Sequence, residues 1–302
     1  IVNEYKKEFV PHRQPAARSA VSERRRAGAP VVVLALLAMT SGPWASARRV
    51  VCMAPAFTEI CFALGQGRRV VGVTDFCEHP PEARRLASVG GFLNPNREAI
   101  LRLEPDLVLV VPEESELARQ LTSLGIRTEV MPLYSLADIA SAMGRIGALL
   151  GVPETGRKLE SRWRREIRDL SVPEGAPPGP RTLLVVGRNA GELSNIYVAG
   201  PGTFLGELLR RAGGRNVYEG EIRYPSLSLE GIARLDPEVI IELYPGMGLT
   251  SGQKAKLAGD WRQLPDLSAQ RDGRVYVLDD PLIAIPGPRV SGILKKLRAC
   301  LK

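Results

Sequence analysis

Residues 98–111 read EAILRLEPDLVLVV, and residues 230–243 read EGIARLDPEVIIEL. The second stretch repeats the pattern of the first, position by position, at an offset of 132 residues (230 minus 98). Each copy begins with a short amphipathic segment, continues with a proline that ends a helix, and finishes in an apolar run. Such a run, without polar alternation, is typical of a parallel strand covered on both faces. The repeat therefore predicts one helix–strand unit in each half of the chain.

The two copies also begin with the same acidic residue, Glu98 in the first and Glu230 in the second. On a helix of about 100° per residue, each glutamate points away from the apolar positions that follow it. We predict that Asn94 and Ser226 cap these helices, with Pro95 at the first helical position of the first one. Each half should therefore expose one carboxylate near a helix start.

Short apolar runs alternate with helical patterns along most of the chain, which is the order expected of an α/β fold. The predicted strands are 48–54, 69–74, 107–111, 126–132, 181–187, 238–243 and 274–280, and the predicted helices are 58–65, 115–125, 203–214 and 288–302. A glutamate precedes a glycine by six residues in one helix of each half, Glu59 before Gly65 and Glu207 before Gly213. We therefore predict two similar α/β lobes.

A long amphipathic region separates these lobes. Ser135 and Asp138 have the pattern of a capping box in front of a helix that Gly151 ends, and Pro153 can open a second helix. Apolar residues recur every three or four positions in this second helix: Leu159, Trp163, Ile167 and Leu170. We predict a leader over 1–47, an N-terminal lobe over 48–150, a connecting helix over 151–172 and a C-terminal lobe over 173–302.

The first 47 residues have the pattern of an export leader with a signal peptide. The basic cluster ERRR at 23–26 precedes an apolar stretch at 29–40 and the small-residue sequence ASA at 45–47. The apolar stretch is shorter than the roughly 20 residues of a membrane-spanning helix. No cysteine follows in a lipobox context, so we expect a soluble protein exported to the periplasm.

The formal charge of +8 does not indicate a nucleic-acid partner. Residues 1–47 contain seven basic and three acidic side chains, which leaves 34 basic and 30 acidic side chains, or +4, for the rest of the chain. Spread over so many residues, this excess is too weak to predict a nucleic-acid-binding surface.

The sequence does not favour an enzyme. His12 lies in the leader, which leaves His79 alone, and neither a G-x-S-x-G motif nor a P-loop is present. A zinc or manganese site would need several histidine and carboxylate ligands. We expect His79 to be an exposed loop residue rather than a haem ligand.

Four cysteines are present, and their spacings match no zinc or redox motif. We expect Cys52 and Cys61 to be buried as small hydrophobic residues and Cys77 to be a free thiol in a loop. The sequence leaves the pairing of these residues and Cys300 open, because export permits disulfides.

Residues 48–302 resemble the substrate-binding proteins of ABC importers, in the branch whose two lobes are joined by one long rigid helix. The resemblance is carried by RRVVCMAPAFTEICFALGQGRRVVGVTDFCEHPPEA, VGGFLNPNREAILRLEPDLVLVV, AGPGTFLGELLRRAGGRNVYEG, SLEGIARLDPEVII and IPGPRV. TDFCEHPPEA and GGFLNPN are most similar to the cobalamin-binding group. The resemblance implies two Rossmann-like lobes with mainly parallel sheets, a ligand cleft between them, a monomer and no resident cofactor.

The resemblance also implies ligand-contacting residues in the cleft. Three match positions where the family places aromatic rings, and two follow strands whose ends face the cleft: Phe76, Phe92 and Tyr224, then Arg188 and Asp280. One further aromatic position of the family, at the end of LVLVV, is here occupied by Val111 and Pro112. This departure from the family pattern counts against a corrinoid.

The family docks onto arginines of its membrane permease through one glutamate on each lobe, and the matching positions are Glu98 and Glu230. The implied partners are therefore a permease dimer with its ATPase and a small metal chelate. A cobalt corrinoid is the expected ligand, since the aromatic set suits its apolar rim. A ferric siderophore, which would favour Arg188 and Arg223, and haem are the alternatives, and an α/β enzyme is a distant one.

Overall fold

The computed structural model describes residues 46–91, 94–189 and 191–302. The predicted leader lies outside these ranges except for its last two residues, and so does Phe92. Within the described ranges, no helix is both long enough and apolar enough to cross a membrane.

The first sheet has five parallel strands in the order β3-β2-β1-β4-β5. They are β1 (Val50–Cys52), β2 (Val70–Val73), β3 (Ala87–Ser88), β4 (Leu107–Val110) and β5 (Thr128–Val130). Along β4, Leu107 and Leu109 pack into one apolar layer, and Val108 and Val110 pack into another. The predicted burial of this strand on both faces is therefore confirmed.

Three helices connect these strands: α1 (Pro55–Ala63), α2 (Arg97–Arg102) and α3 (Ser115–Ser123). α1 begins three residues before the predicted start, because Pro55 takes the first helical position. Short 3-10 helices lie at Gly67–Arg69, Pro81–Arg85 and Pro112–Glu114.

Two helices follow the first sheet and pack against each other: α4 (Leu136–Leu149) and α5 (Pro153–Leu170). The predicted capping box of α4 is confirmed, because Ser135 Oγ accepts from the Asp138 N–H and the Asp138 carboxylate accepts from the Ser135 N–H. α5 is the predicted connecting helix, with 18 residues and a buried face that includes Trp163. We call the first sheet with α1–α4 the first lobe.

The second sheet has six strands in the order β11-β10-β6-β7-β9, with β8 beside β6. They are β6 (Arg181–Gly187), β7 (Ile196–Val198), β8 (Arg215–Asn216), β9 (Ser226–Leu227), β10 (Val239–Tyr244) and β11 (Val275–Asp279). β10 pairs in parallel with β6 and β11, and β6 with β8, whereas β7 pairs antiparallel with β6 and β9. The predicted mainly parallel sheet is confirmed, and β7 and β9 extend it with short antiparallel strands.

The helices of this second lobe are α6 (Phe204–Ala212), α7 (Leu229–Leu235), α8 (Ser251–Asp260), α9 (Ser268–Arg271) and α10 (Ser291–Leu301). Short 3-10 helices lie at Trp261–Gln263 and Pro281–Ala284. α10 packs against both α5 and α6. One apolar core consequently includes side chains from both sheets and from α5. The predicted residue limits of the lobes and the leader stay predictions.

The predicted caps of the two repeated helices are wrong by two residues. The N-cap of α2 is Asn96, whose Oδ1 accepts from the Ala99 N–H at 2.9 Å, and the N-cap of α7 is Ser228, whose Oγ accepts from the Gly231 N–H at 3.1 Å. Asn94 precedes a bridge between Pro95 and Gly90, and Ser226 belongs to β9. The offset between the actual caps is still 132 residues (228 minus 96), so the repeat is preserved.

A charge network is buried beneath the second sheet. The Arg188 and Glu242 side chains are both 0% exposed, and the Glu242 carboxylate accepts from Arg188 Nε at 2.6 Å and Nη2 at 3.2 Å. Trp261 Nε1 donates to the same carboxylate at 2.6 Å, and Asp260 accepts from Arg188 Nη1 at 2.9 Å. Burial raises the pKa of Glu242, while its hydrogen bonds and the Arg188 charge act in the opposite direction.

Gly147 and Gly156 allow α4 and α5 to approach closely, since a Cβ atom on Gly147 would lie 2.6 Å from the Cα atom of Gly156. We predict that Gly147→Ala lowers the free energy of unfolding by about 1–3 kcal/mol, because overpacking outweighs the better helix propensity of alanine. Urea unfolding followed by circular dichroism measures this loss. Gly252→Ala, in a roomy first turn of α8, is the control and should be neutral or stabilising. Equal effects of the two substitutions would contradict the packing argument.

Arg188 neutralises the charge of the buried Glu242 carboxylate. Arg188→Met should therefore lower the free energy of unfolding by about 3–5 kcal/mol. Urea unfolding at neutral pH measures the loss. The double variant R188M/E242M should recover part of it, because the fully buried Glu242 charge is removed together with its partner and only Asp260, which is 13% exposed, loses a cation. The exposed ion pair of Arg157 with Glu154 supplies the control, Arg157→Met, which should change stability little. Similar losses for Arg188→Met and Arg157→Met would refute this assignment.

Candidate functional site

The carboxyl ends of the parallel strands carry the loops that form the candidate site. In open α/β sheets, ligands bind beyond these strand ends. In the first lobe the loops follow β2, β4 and β5, and in the second lobe they follow β6, β10 and β11. Side chains from the first set of loops contact Arg223, which lies in the segment between β8 and β9 of the second lobe.

Three polar side chains meet where the lobes face each other. The Tyr134 hydroxyl, after β5, donates to Glu113 Oε1, after β4, at 2.5 Å. The Arg223 guanidinium carbon, from the second lobe, lies 3.8 Å from the centre of the Tyr134 ring. Such a distance is typical of a cation–π interaction. We call Glu113, Tyr134 and Arg223 the interlobe cluster.

Burial and the hydrogen bond to Glu113 raise the pKa of Tyr134, so its phenol stays protonated and remains a donor at neutral pH. Tyr224 lies next to the interlobe cluster and is half-buried against the main core. Burial raises the pKa of Tyr224 most, Arg223 lowers it, and Glu113 raises it further. The structure therefore brings Tyr224 together with two charged residues of the cluster.

Phe76 is half-buried in the loop after β2 and borders Gly91, where a Cβ atom would lie 3.6 Å from Phe76 Cε2. Phe92 follows Gly91 and lies outside the described residues. Phe76 is thus placed beside the GGFLNPN segment, and the position of Phe92 stays a prediction.

Arg188 does not face the cleft, contrary to the prediction. Its guanidinium group is fully engaged by Glu242, Asp260 and backbone carbonyls, including those of Asn189 at 3.1 Å and Glu192 at 3.2 Å. A residue just past a strand end can turn to either face of the sheet. Arg188 turns inward, where its guanidinium group neutralises the buried Glu242 carboxylate. It therefore holds the loop after β6 in place from the interior.

Asp280, which was predicted to contact the ligand, makes structural contacts in the loop after β11. Its Oδ1 accepts from the Leu282 N–H at 2.8 Å, and its Oδ2 lies 3.0 Å from Lys296 Nζ. The neighbouring Asp279 carboxylate accepts from the backbone N–H groups of Met247 and Leu249. Both aspartates shape the loops at this edge, so Asp280 serves as a helix cap.

Glu98 and Glu230 are both exposed in the first turn of their helices, as predicted. Hydrogen bonds from its own backbone N–H and from Ser228 hold the pKa of Glu230 below its ordinary value. A cavity of about 710 Å³ extends from Glu98 to Glu113 of the interlobe cluster, along the starts of α2 and α3. The face that carries Glu98 thus adjoins the cleft.

A second cavity, of about 410 Å³, is lined by both lobes, including Phe62, His79 and Pro288. Here Glu59 of α1 forms an ion pair with Arg289, whose Nε lies 2.9 Å from Glu59 Oε2. His79 is exposed, as predicted. Within the described part of the chain, no group of three or more His, Cys, Asp and Glu side chains is placed to hold a metal ion.

Sequence reasoning missed Glu113 and Tyr134. Both follow strands that were predicted, and the rule that ligands bind beyond the carboxyl ends of strands would have singled them out. Glu242 was missed as well, although a lone glutamate inside the apolar strand VIIELY signals a buried cation partner.

Residues 50–282 match the periplasmic binding protein family. A vitamin B12-binding protein of Vibrio cholerae serotype O1 is 27% identical over 261 residues, which cover 85% of this chain and 90% of that protein. An uncharacterised ABC transporter substrate-binding lipoprotein of Bacillus subtilis is 27% identical over 248 residues, which cover 80% of this chain and 76% of that protein.

Among solved structures, a periplasmic heme-binding protein from Pseudomonas aeruginosa is similar with a TM-score of 0.71 and 31% sequence identity, over 84% of this chain and 92% of that one. The family match covers both sheets, and the structural similarity extends over both lobes. This chain therefore belongs to the periplasmic binding protein family.

Proposed function

We propose that this chain is the substrate-binding protein of an ABC importer and that it captures a corrinoid, a vitamin B12-like cobalt chelate, between its lobes. The observation that carries the proposal is the similarity to the Vibrio cholerae vitamin B12-binding protein over 90% of that protein. It is supported by the half-buried rings of Phe76 and Tyr224, one on each lobe.

The proposed mechanism is binding without catalysis, in the periplasm. Aromatic rings on opposing loops would cover the apolar rim of the ligand, and the interlobe cluster would supply polar contacts. The Tyr134 hydroxyl can donate and the Arg223 guanidinium can pair with an anionic or carbonyl group. Since α5 shares its buried face with the core of both lobes, we expect only a small closing motion and affinity that depends on preorganised walls.

Haem is the second candidate, favoured by the 31% identity to the Pseudomonas aeruginosa heme-binding protein. A ferric siderophore is supported only by the exposed cation of Arg223, since Arg188 is buried. Titration of the purified protein with cyanocobalamin, haem and ferric siderophores, followed by visible absorbance and calorimetry, separates these ligands. Tight binding of haem alone would replace the corrinoid assignment, and binding of none would refute the metal-chelate function.

Tyr224→Ala should weaken cyanocobalamin binding at least tenfold, because it removes one aromatic wall of the cleft. Isothermal titration calorimetry measures the change in Kd, and circular dichroism verifies the fold. Tyr224→Phe is the matched control and should keep most of the affinity, since the ring remains. Unchanged affinity in Tyr224→Ala would remove this residue from the ligand site.

We further propose that Glu98 and Glu230 dock onto the permease, one carboxylate on each lobe. Both are exposed at equivalent positions of the repeated unit, and the lowered pKa of Glu230 keeps that carboxylate charged at neutral pH. Charged contacts at the rim of an interface mainly set the association rate and its salt dependence.

Reversal of both charges, Glu98→Arg with Glu230→Arg, should abolish transport by the cognate permease while the ligand Kd stays within about twofold of the native value. Uptake into proteoliposomes that contain the permease and its ATPase measures the loss. The control reverses two exposed glutamates of α5, Glu154→Arg with Glu166→Arg, and should transport normally. If the control fails equally, or if ligand binding is lost as well, the docking assignment is wrong.

A further inference from the structure

Three of the four cysteines converge where β1 meets α1. Cys52 ends β1, Cys61 lies on α1, and their Sγ atoms are 3.9 Å apart in the core. Cys77, after β2, is also buried, but its Sγ contacts two threonine hydroxyls, Thr58 Oγ1 at 3.4 Å and Thr74 Oγ1 at 3.3 Å. The first two thiols therefore face each other, whereas the third is held by hydrogen bonds.

The backbone keeps the Cys52 and Cys61 thiols together. Only Met53 and Ala54 connect β1 to α1, and both elements are buried, so the helix cannot move far from the strand. A disulfide bond is about 2.05 Å long, so the sulfur atoms must approach by about 1.9 Å. A change of one side-chain rotamer moves a sulfur atom by more than this distance.

We propose that Cys52 and Cys61 form an intramolecular disulfide in the exported protein. One thiolate attacks a sulfur atom of an external disulfide, such as that of a thiol–disulfide oxidoreductase or oxidised glutathione, and releases one thiol. The second thiolate then attacks the mixed disulfide, which forms the Cys52–Cys61 bond and releases the other thiol. Two electrons and two protons thus pass from the cysteines to the oxidant. The proposal depends on the proposed export of the protein only because an exported protein meets such an oxidant.

The structure also indicates when this bond forms. Burial raises the pKa of Cys52, and the neighbouring Cys61 thiol raises it further. Since the thiolate is the reactive form, the folded and reduced protein should react slowly. The bond is therefore made during folding, before α1 covers β1. Once formed, it fixes the helix that carries Glu59, the partner of Arg289 in the second lobe.

The test refolds the full chain from denaturant in a mixture of reduced and oxidised glutathione, alkylates it under denaturing conditions and counts the modified cysteines by mass. We expect two, Cys77 and Cys300. The tryptic peptide 50–68 contains both Cys52 and Cys61 and should be two hydrogen atoms lighter. Cleavage after Glu59 should then leave its two fragments joined. Four alkylated cysteines, or a disulfide mapped to Cys77 or Cys300, would overturn the proposal.

Two double variants provide matched controls. C77S/C300S should contain no free thiol after refolding, and its melting temperature should fall by several degrees in reductant, as that of the native chain should. C52A/C61A should contain two free thiols and a melting temperature that reductant leaves unchanged. Equal sensitivity of all three proteins to reductant would also count against the bond. If a variant does not fold, the number of free thiols in the native chain is sufficient to test the proposed disulfide.

Discussion

Parallel pairing of β1 with β4, and of β6 with β10, is the constraint on which the rest of the structure depends. A parallel neighbour can be reached only by a crossover, so the chain between two such strands must return across the sheet, in most cases as a helix. All strand ends of one direction then lie along one edge of each sheet, together with their loops. The interlobe cluster, Phe76 and Tyr224 all belong to such loops or to the segment that precedes β9.

The two similar lobes supply two pairs of corresponding glutamates with opposite surroundings. Glu98 and Glu230 are exposed, whereas Glu59 and Glu207 join the lobes. Glu59 pairs with Arg289 of the second lobe, and the Glu207 carboxylate accepts from the Leu136 N–H of the first lobe at 3.1 Å. The same fold repeated twice thus provides contacts that hold the lobes to each other and charges that remain available to another molecule.

Features with a local physical cause could be predicted from the sequence. The Ser135 capping box, Pro153 at the start of α5 and the apolar strand at 107–110 depend on neighbouring residues, and the structure confirms all three. The caps of α2 and α7 were misplaced because two residues fit the cap pattern in each unit, Asn94 and Asn96 in the first and Ser226 and Ser228 in the second. The bridge made by Pro95 decides the first case, and the pairing of Ser226 in β9 decides the second.

The side-chain directions at strand ends could not be predicted in the same way. Arg188 and Asp280 were expected in the cleft from their positions in the chain alone. Their actual partners, Glu242 and Lys296, are 54 and 16 residues away (242 minus 188 and 296 minus 280), so only the tertiary structure shows them. Arg223 and Tyr134 likewise meet only because segments of the two lobes lie against each other. Contacts between lobes are set by distant residues, and a local pattern carries no information about them.

The shared core has a consequence for how this protein melts. Its largest apolar cluster includes residues from Ala47 to Cys300 and side chains of α5, without a boundary between the lobes. A single lobe would therefore expose part of this surface to water and would be marginally stable on its own. Heating should disrupt both sheets in one calorimetric transition.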